Sequence, residues 1–533
     1  MNTLIFATAH GFGEGVEKLG VIAVALLVAV VVLARPPQVS ERWRALAMLG
    51  VLVVTPALLL ADIWHTSQLT HLRHHPAEAG AAVVLGVIVV LVLAVLIYRE
   101  PRAFPLLAIF ALPFRLPIAT GGSTSNLLIP LYLVVGAGAL AYLIPRLRND
   151  FECPERAGPI LLEWLLLAAV VLYALQAAYS ADFSKALENM VFFYVPFALL
   201  FALLREVQWT RELLLQCLAV AVALAVVFAG IGFVEYDRKQ LFLNPKVVAA
   251  DQYGNYFRVN SLFFDPNIYG RFLALVMIGV TTVVLWGVRR REVLLGGAVL
   301  LWLLAGLVTS FSQSSIAALL LGLAVLAAYR WDVRGTIYVT FALAAIALVA
   351  VAVAPPSLHL GLTGKGGSAS NATSGRTKLI EGGLGLFADR PLQGFGPGSF
   401  AREYRAHEHV TSTSATSASH TIPITVAAEQ GIVGLALYVA LLVVAFAVLF
   451  RGAGRSPPRP KPGDTGLRPA SPFRPALAAC FAALVLHTFT YADFLEDPET
   501  WVLLAIGVAL ASASGGVEPQ RREPRVEPAA MTS

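Results

Sequence analysis

The sequence predicts an all-α, polytopic membrane protein, on three observations. Apolar runs of lipid-spanning length recur from one end to the other, among them 80–98 (GAAVVLGVIVVLVLAVLIY) and 335–354 (GTIYVTFALAAIALVAVAVA). About 20 such residues match the hydrocarbon thickness of a bilayer. Hydrophobic residues make up 57% of the chain and charged ones 14%, with a mean hydropathy of +0.73. A soluble domain carries about 25% charged residues. Finally, arginines gather in alternate loops, as they do when alternate loops face the cytoplasm.

Taken in order, the first apolar run, 19–34, ends at Arg35 with no basic segment before it and no small-residue cleavage site. It reads as a retained span. Windows of lipid-spanning length then give about 15 spans along the chain. The basic loops are Arg35/Arg42/Arg44, Arg99/Arg102, Arg146/Arg148/Arg156, Arg205/Arg211, Arg289–Arg291, Arg330/Arg334 and 451–474. Placing them inside leaves the N-terminus outside and the C-terminal tail, with Arg521, Arg522 and Arg525, in the cytoplasm. The segment 104–118 (FPLLAIFALPFRLPI) is short, proline-broken and contains Arg115, so it reads as a broken or re-entrant helix. The expected organisation is 1–98 as accessory N-terminal spans, 99–513 as the membrane core, 355–420 as a large outer loop with short helices, and 514–533 as a disordered cytoplasmic tail.

Other classes find little support. Cys153, Cys217 and Cys480 stand singly, which suggests neither a disulfide framework nor a CxxC zinc site. A net charge of +6 fits basic loops rather than nucleic-acid binding. No internal repeat is visible, and few ionisable residues (Glu163, Arg271, Glu429) fall within spans, which disfavours a transporter built on repeated halves. A transporter or a polysaccharide-export subunit remains the alternative.

The long outer loops carry the chemistry. The first contains YFRVNSLFFDPNIYGRFL (256–273), in which Asp265-Pro266-Asn267 is a turn that starts the next span. Arg258 lies at headgroup level, and Arg271, one turn into the span, can snorkel to the same level. The second loop opens with GLTGKGGSASNATSG (361–375), a Gly/Ser-rich stretch that reads as a flexible lid or hinge. RTKLIEGGLGLFADRP (376–391) follows as a short amphipathic helix with Leu379, Ile380, Leu384 and Phe387 on its apolar side. The turn QGFGPGSF (393–400) carries Gly394, Gly396 and Gly398, whose backbone N–H groups suit an anion. Arg402, Glu403, Arg405, His407 and His409 form a charged stretch, and His420 stands where the chain re-enters the membrane.

Each of these has a simpler reading: a loop arginine on phospholipid, a plain turn, a solvated face, an interfacial histidine. Together they assemble guanidinium groups, which bind phosphate as forks, beside an imidazole able to accept a hydroxyl proton. Glu429 faces away from His420 and suits a capping or inter-helix hydrogen bond. The acidic turn Asp493, Glu496, Asp497, Glu499 reads as solvated.

Three motifs carry a family resemblance: Arg258 before Asp265-Pro266-Asn267, then Gly375-Arg376 with PLQGFGPGSF, then SHTIPITVAAEQGIVGL. With the late turn YADFLEDPETW (491–501), they resemble the O-antigen ligase and polymerase superfamily of GT-C-type glycosyltransferases. Thr421 follows His420 where the family usually has asparagine. The resemblance implies a polyprenyl-diphosphate-linked glycan donor, undecaprenyl in type, and a glycan or lipid acceptor at the outer face of the cell membrane, with no cofactor or metal. Arg258 and Arg376 would hold the diphosphate, with Arg271 and Asn267 beside them, and His420 would activate the acceptor hydroxyl. The glycine turn and Arg402 would line the sugar groove.

Overall fold

The computed structural model describes residues 2–34, 40–63, 76–120, 123–148, 160–243, 257–287, 289–331, 376–409, 421–451, 473–489, 491 and 493–515. Outside them lie His420, the 335–354 run, the 361–375 stretch, most of the 451–474 loop and the tail. The side chain of Arg376 lies outside them too, although its backbone opens a helix.

The chain enters with α1 (Asn2–Leu33), α2 (Glu41–Ile63) and α3 (Pro76–Arg99). The Pro-broken segment forms only α4 (Ala103–Ala111), followed by a hairpin of β1 (Leu116–Thr120) and β2 (Ser123–Leu127). The strands pair antiparallel from Leu116 opposite Leu127 to Thr120 opposite Ser123. This hairpin is the departure from a purely helical expectation. Pro113 and Pro117 deny the segment helical hydrogen bonds. Next come α5 (Ile129–Leu147), α6 (Leu161–Ala177), α7 (Phe183–Asn189) and α8 (Val195–Arg205), the last two joined by a π turn over Met190–Tyr194.

The second half contains α9 (Arg211–Arg238), α10 (Pro266–Trp286), α11 (Arg290–Thr309) and α12 (Gln313–Arg330). Two short helices, α13 (Arg376–Asp389) and α14 (Phe400–His407), precede α15 (Ile422–Phe450), α16 (Phe473–Thr488) and α17 (Pro498–Gly515). Among the described residues, ten helical segments are long and apolar enough to cross a membrane, and three more apolar helices are shorter. The expected count of about 15 spans includes 335–354, which lies outside the described residues.

The run Phe183–Arg205 crosses the bundle and so defines its two ends. At the Glu206 end, Arg44 is buried and donates to the Val31 carbonyl at 2.9 Å and to Glu206 Oε1 at 2.9 Å. Glu41 joins it at 3.0 Å and accepts from Arg146 Nε at 3.0 Å. Nearby, Glu163 pairs with Arg205 at 2.6 Å, which accounts for a carboxylate inside a span. Buried charges are tolerated when paired and hydrogen-bonded. Because the network joins α1 and α2 to α5 and α8, the first two helices are packed into the main bundle rather than hung beside it. One apolar core runs from Val21 and Met48 through Leu166 and Phe197 to Trp501.

Candidate functional site

At the opposite end, the polar residues of separate loops converge. Asp265 caps α10, its Oδ1 accepting the Asn267 N–H at 2.6 Å, and Pro266 occupies the first helical position, where no N–H is needed. Asn267 Oδ1 then accepts from Arg258 Nη2 at 3.2 Å and from Ser312 Oγ at 2.9 Å. The Ser310 carbonyl accepts Arg258 Nε at 3.1 Å. Ser312 also caps α12 through the Ser315 N–H. Arg258 is therefore oriented by neutral acceptors, and among the described residues no carboxylate pairs with it.

Arg271 behaves differently. Instead of snorkelling to headgroups, it is buried and pairs with Asp497 and, at 3.2 Å, with Glu499. The acidic turn is correspondingly not a solvated one: Asp497 is buried, and its N-terminal position lets Oδ1 accept the Glu499 N–H at 3.0 Å. Arg115, which follows α4, lies within electrostatic reach of Asp497 and Tyr491. No group of three or more His, Cys, Asp or Glu among the described residues is arranged to hold a metal ion.

The glycine turn grips a break in α15. Gly431 has φ +66°, so the helix is interrupted after Gln430. The N–H groups of Phe395 and Gly396 donate to the Ala428 and Glu429 carbonyls at 3.1 and 2.8 Å, and Ile432 N–H donates to the Pro391 carbonyl at 2.8 Å. Gln176 Nε2 takes the Gln430 carbonyl at 3.2 Å. On the other side of the turn, Ser180 Oγ donates to the Pro397 carbonyl at 2.7 Å, and Arg402 donates to the Ala181 carbonyl. Gly394, Gly396 and Gly398 all have positive φ, and a Cβ on each would stand 2.3, 2.3 and 2.9 Å from neighbouring backbone. The expected anion-binding N–H groups are thus committed inside the protein. The carboxylate they meet is Glu429, whose Oε1 accepts the Phe400 N–H at 3.0 Å, the capping role read from the sequence.

The amphipathic helix α13 packs on the same break, but with a shifted face. Leu379 and Leu386 are buried with Phe400, Tyr404 and Ala428, whereas Leu384 is exposed. Gly382 and Gly383 cause the shift, because their missing side chains let Tyr404, Phe400 and Ile424 approach closely. His407 stands at the surface, near Asp389 at 3.5 Å and Glu408 at 3.2 Å.

Below the start of α15 lies a partly open cavity of about 70 Å³, lined among others by Tyr173, Tyr194, Thr425, Glu429, Gln430 and Glu496. Ile422 and Thr425, at the start of α15, are also among its lining residues. Asn189 Nδ2 donates to Glu496 Oε1 at 3.0 Å and meets the Tyr173 hydroxyl at 3.1 Å. Burial, reinforced by the Asp493 carboxylate, pushes the Glu496 carboxyl up to about 8. Sequence reading did not single out Asn189 or Tyr194, and it named Arg115 only as the charge within a broken apolar segment. The first two lie in the apolar run ENMVFFYV, where only the polar asparagine hints at a role.

Fold and composition define a polytopic α-helical membrane protein. A model of the O-antigen ligase family matches residues 298–439, from within α11 to within α15, and so takes in Arg376, the glycine turn and Glu429. The match bears out the resemblance read from the motifs and supports an O-antigen ligase-like membrane enzyme. Arg258, Asn267 and Arg271 lie upstream of it. No curated protein is similar enough to the chain to count as a match.

Proposed function

We propose that the protein is a GT-C-type membrane glycosyltransferase that transfers or polymerises undecaprenyl-diphosphate-linked glycan at the outer face of the cytoplasmic membrane. The observation that carries this reading is the setting of Arg258. Its guanidinium is fixed by the Ser310 carbonyl and by Asn267 Oδ1, both neutral, so its positive charge stays available to an anion. Arg271, by contrast, is paired with Asp497 and Glu499, and this difference supports a ligand-facing role for Arg258 and a structural one for Arg271.

In this reading the Glu496 end of the bundle is extracytoplasmic. Arg258 and Arg376 bind the donor diphosphate, and their charge matters most as negative charge grows on the leaving phosphate. The acceptor hydroxyl oxygen attacks the anomeric carbon as the bond to the phosphate oxygen breaks. The bonding pair leaves with polyprenyl diphosphate, and the hydroxyl proton passes to His420. The glycine turn holds this geometry rather than touching substrate, because its three glycines are packed against backbone. Arg402 stays at the exposed rim.

The test is turnover of a synthetic undecaprenyl-diphosphate-linked repeat by the purified full chain in liposomes. Release of undecaprenyl diphosphate with growth or transfer of the glycan supports the reading. Movement of the intact donor across the bilayer without bond cleavage replaces it with a transporter.

A further inference from the structure

We infer that Glu235, in the last turn of α9, is a positioning residue that sets Arg258 for the donor diphosphate. The inference rests on the reading of Arg258 as the diphosphate-facing arginine, and adds what holds it in place.

Glu235 is fully buried, yet among the described residues no lysine, arginine or histidine pairs with it. Its oxygens are given to backbone instead. Oε1 accepts the Phe242 N–H at 2.9 Å, and Oε2 accepts the Ser261 N–H at 2.7 Å. The Asn260 N–H faces the same carboxylate. Ser261 Oγ donates to the Phe228 carbonyl at 2.8 Å, a further contact with α9. On the other side, the Val259 N–H donates to the Thr309 carbonyl at 3.2 Å, beside the Ser310 carbonyl that takes Arg258 Nε. The segment 258–261 is therefore clasped between the C-terminal halves of α9 and α11.

The clasp is needed because the segment is costly to hold. Ser261 has φ +52°, a region that residues other than glycine seldom occupy. Asn260 is fully buried, and among the described residues neither polar atom of its side chain has a hydrogen-bond partner. Both features disfavour this conformation, and such features persist where the surrounding structure over-determines them, often at functional sites. Glutamate suits the task. A carboxylate accepts hydrogen bonds on both oxygens, whereas a glutamine amide would set its own N–H against a backbone N–H. Two other deeply buried carboxylates, Glu163 and Asp497, each pair with an arginine. Glu235 instead shapes the turn that carries one.

The test is a double-variant cycle on donor turnover by the purified full chain in liposomes, with Glu235→Gln and Arg258→Ala at matched folded protein. Glu235→Gln alone is expected to lower turnover roughly tenfold, since a misplacement of about 1 Å can cost about 100-fold. In the Arg258→Ala background it is expected to cost less than about twofold, because nothing is left to position. A general loss of stability would instead multiply in both backgrounds. Amide hydrogen exchange over 259–263 should quicken in Glu235→Gln, while the Arg44–Glu206 end stays as in wild type. Ser261→Ala removes only the bond to Phe228 and should follow the same pattern at roughly two- to tenfold. It decides the matter if Glu235→Gln fails to fold. Wild-type turnover in Glu235→Gln, a multiplicative loss, or unchanged exchange over 259–263 overturns the positioning role. Full turnover in Arg258→Ala, or none in wild type, overturns the reading of Arg258 instead, and exchange over 259–263 still decides the clasp.

Discussion

Glu429 and Phe400 are 29 residues apart, yet the Glu429 carboxylate accepts the Phe400 backbone N–H at 3.0 Å and so caps α14 from inside α15. The bond fastens the two short helices α13 and α14 to α15. A Glu429→Ala variant leaves that N–H unanswered, at about 1–3 kcal/mol. Thermal unfolding in detergent should fall, and limited proteolysis should cut between 376 and 409 faster than in wild type. Glu429→Gln, which keeps an acceptor oxygen, should lie between the two.

The glycine turn gives a sharper test because its geometry excludes side chains. Gly396 has φ +93°, and a Cβ there would lie 2.3 Å from Ser180 Cα. Gly396→Ala should therefore lower folded yield, with backbone strain alone contributing about 1–3 kcal/mol. Gly136 in α5 has open space around its Cβ position. Gly136→Ala should be neutral or slightly stabilising, since alanine favours helix by up to about 1 kcal/mol. Folded yield is read from monodisperse peaks in size-exclusion chromatography.

Arg258 and Arg271 should separate function from stability. Arg271→Ala strands Asp497 and Glu499, and breaking a buried ion pair costs about 3–5 kcal/mol. Its membrane abundance should drop. Arg258→Ala has no buried carboxylate to strand, so abundance should hold while transfer falls about 100-fold or more, as for loss of one charge-stabilising donor. Quantitative membrane immunoblots beside donor turnover distinguish the two.

Glu496 predicts a pH dependence of stability. Its carboxyl is raised to about 8 in the folded protein from 4.5. The folded state therefore binds more protons than the unfolded chain between these values. Stability from this group is fully present below about 4.5 and is lost as pH rises through about 8. Glu496→Gln should flatten that part of the unfolding-temperature profile relative to wild type, and an unchanged profile would remove Glu496 as the cause.

Several of these relations were legible in the sequence, and others were not, for identifiable reasons. Asp265-Pro266-Asn267 announced the start of α10, because a cap and a proline at the first position act locally. Glu429 read as a cap or an inter-helix hydrogen-bonding group because its helical phase separated it from His420. Arg271 was misjudged as a snorkeller: its partners Asp497 and Glu499 lie more than 200 residues away, so no local pattern could reveal the pair. The glycine turn read as an anion site because its composition does not disclose that the Ala428 and Glu429 carbonyls already take its N–H groups. The hairpin after α4 was hidden for a related reason: Pro113 and Pro117 break a helix without saying what replaces it. The cavity at Tyr194 depends on four elements meeting and leaves no trace in any one of them.

The most direct measurement is surface polysaccharide in cells lacking this protein, complemented with wild type, Arg258→Ala, Arg376→Ala or His420→Ala at matched membrane levels. The account predicts that wild type restores long or attached chains, while each variant accumulates unextended lipid-linked repeats. Full complementation by all three variants would contradict it.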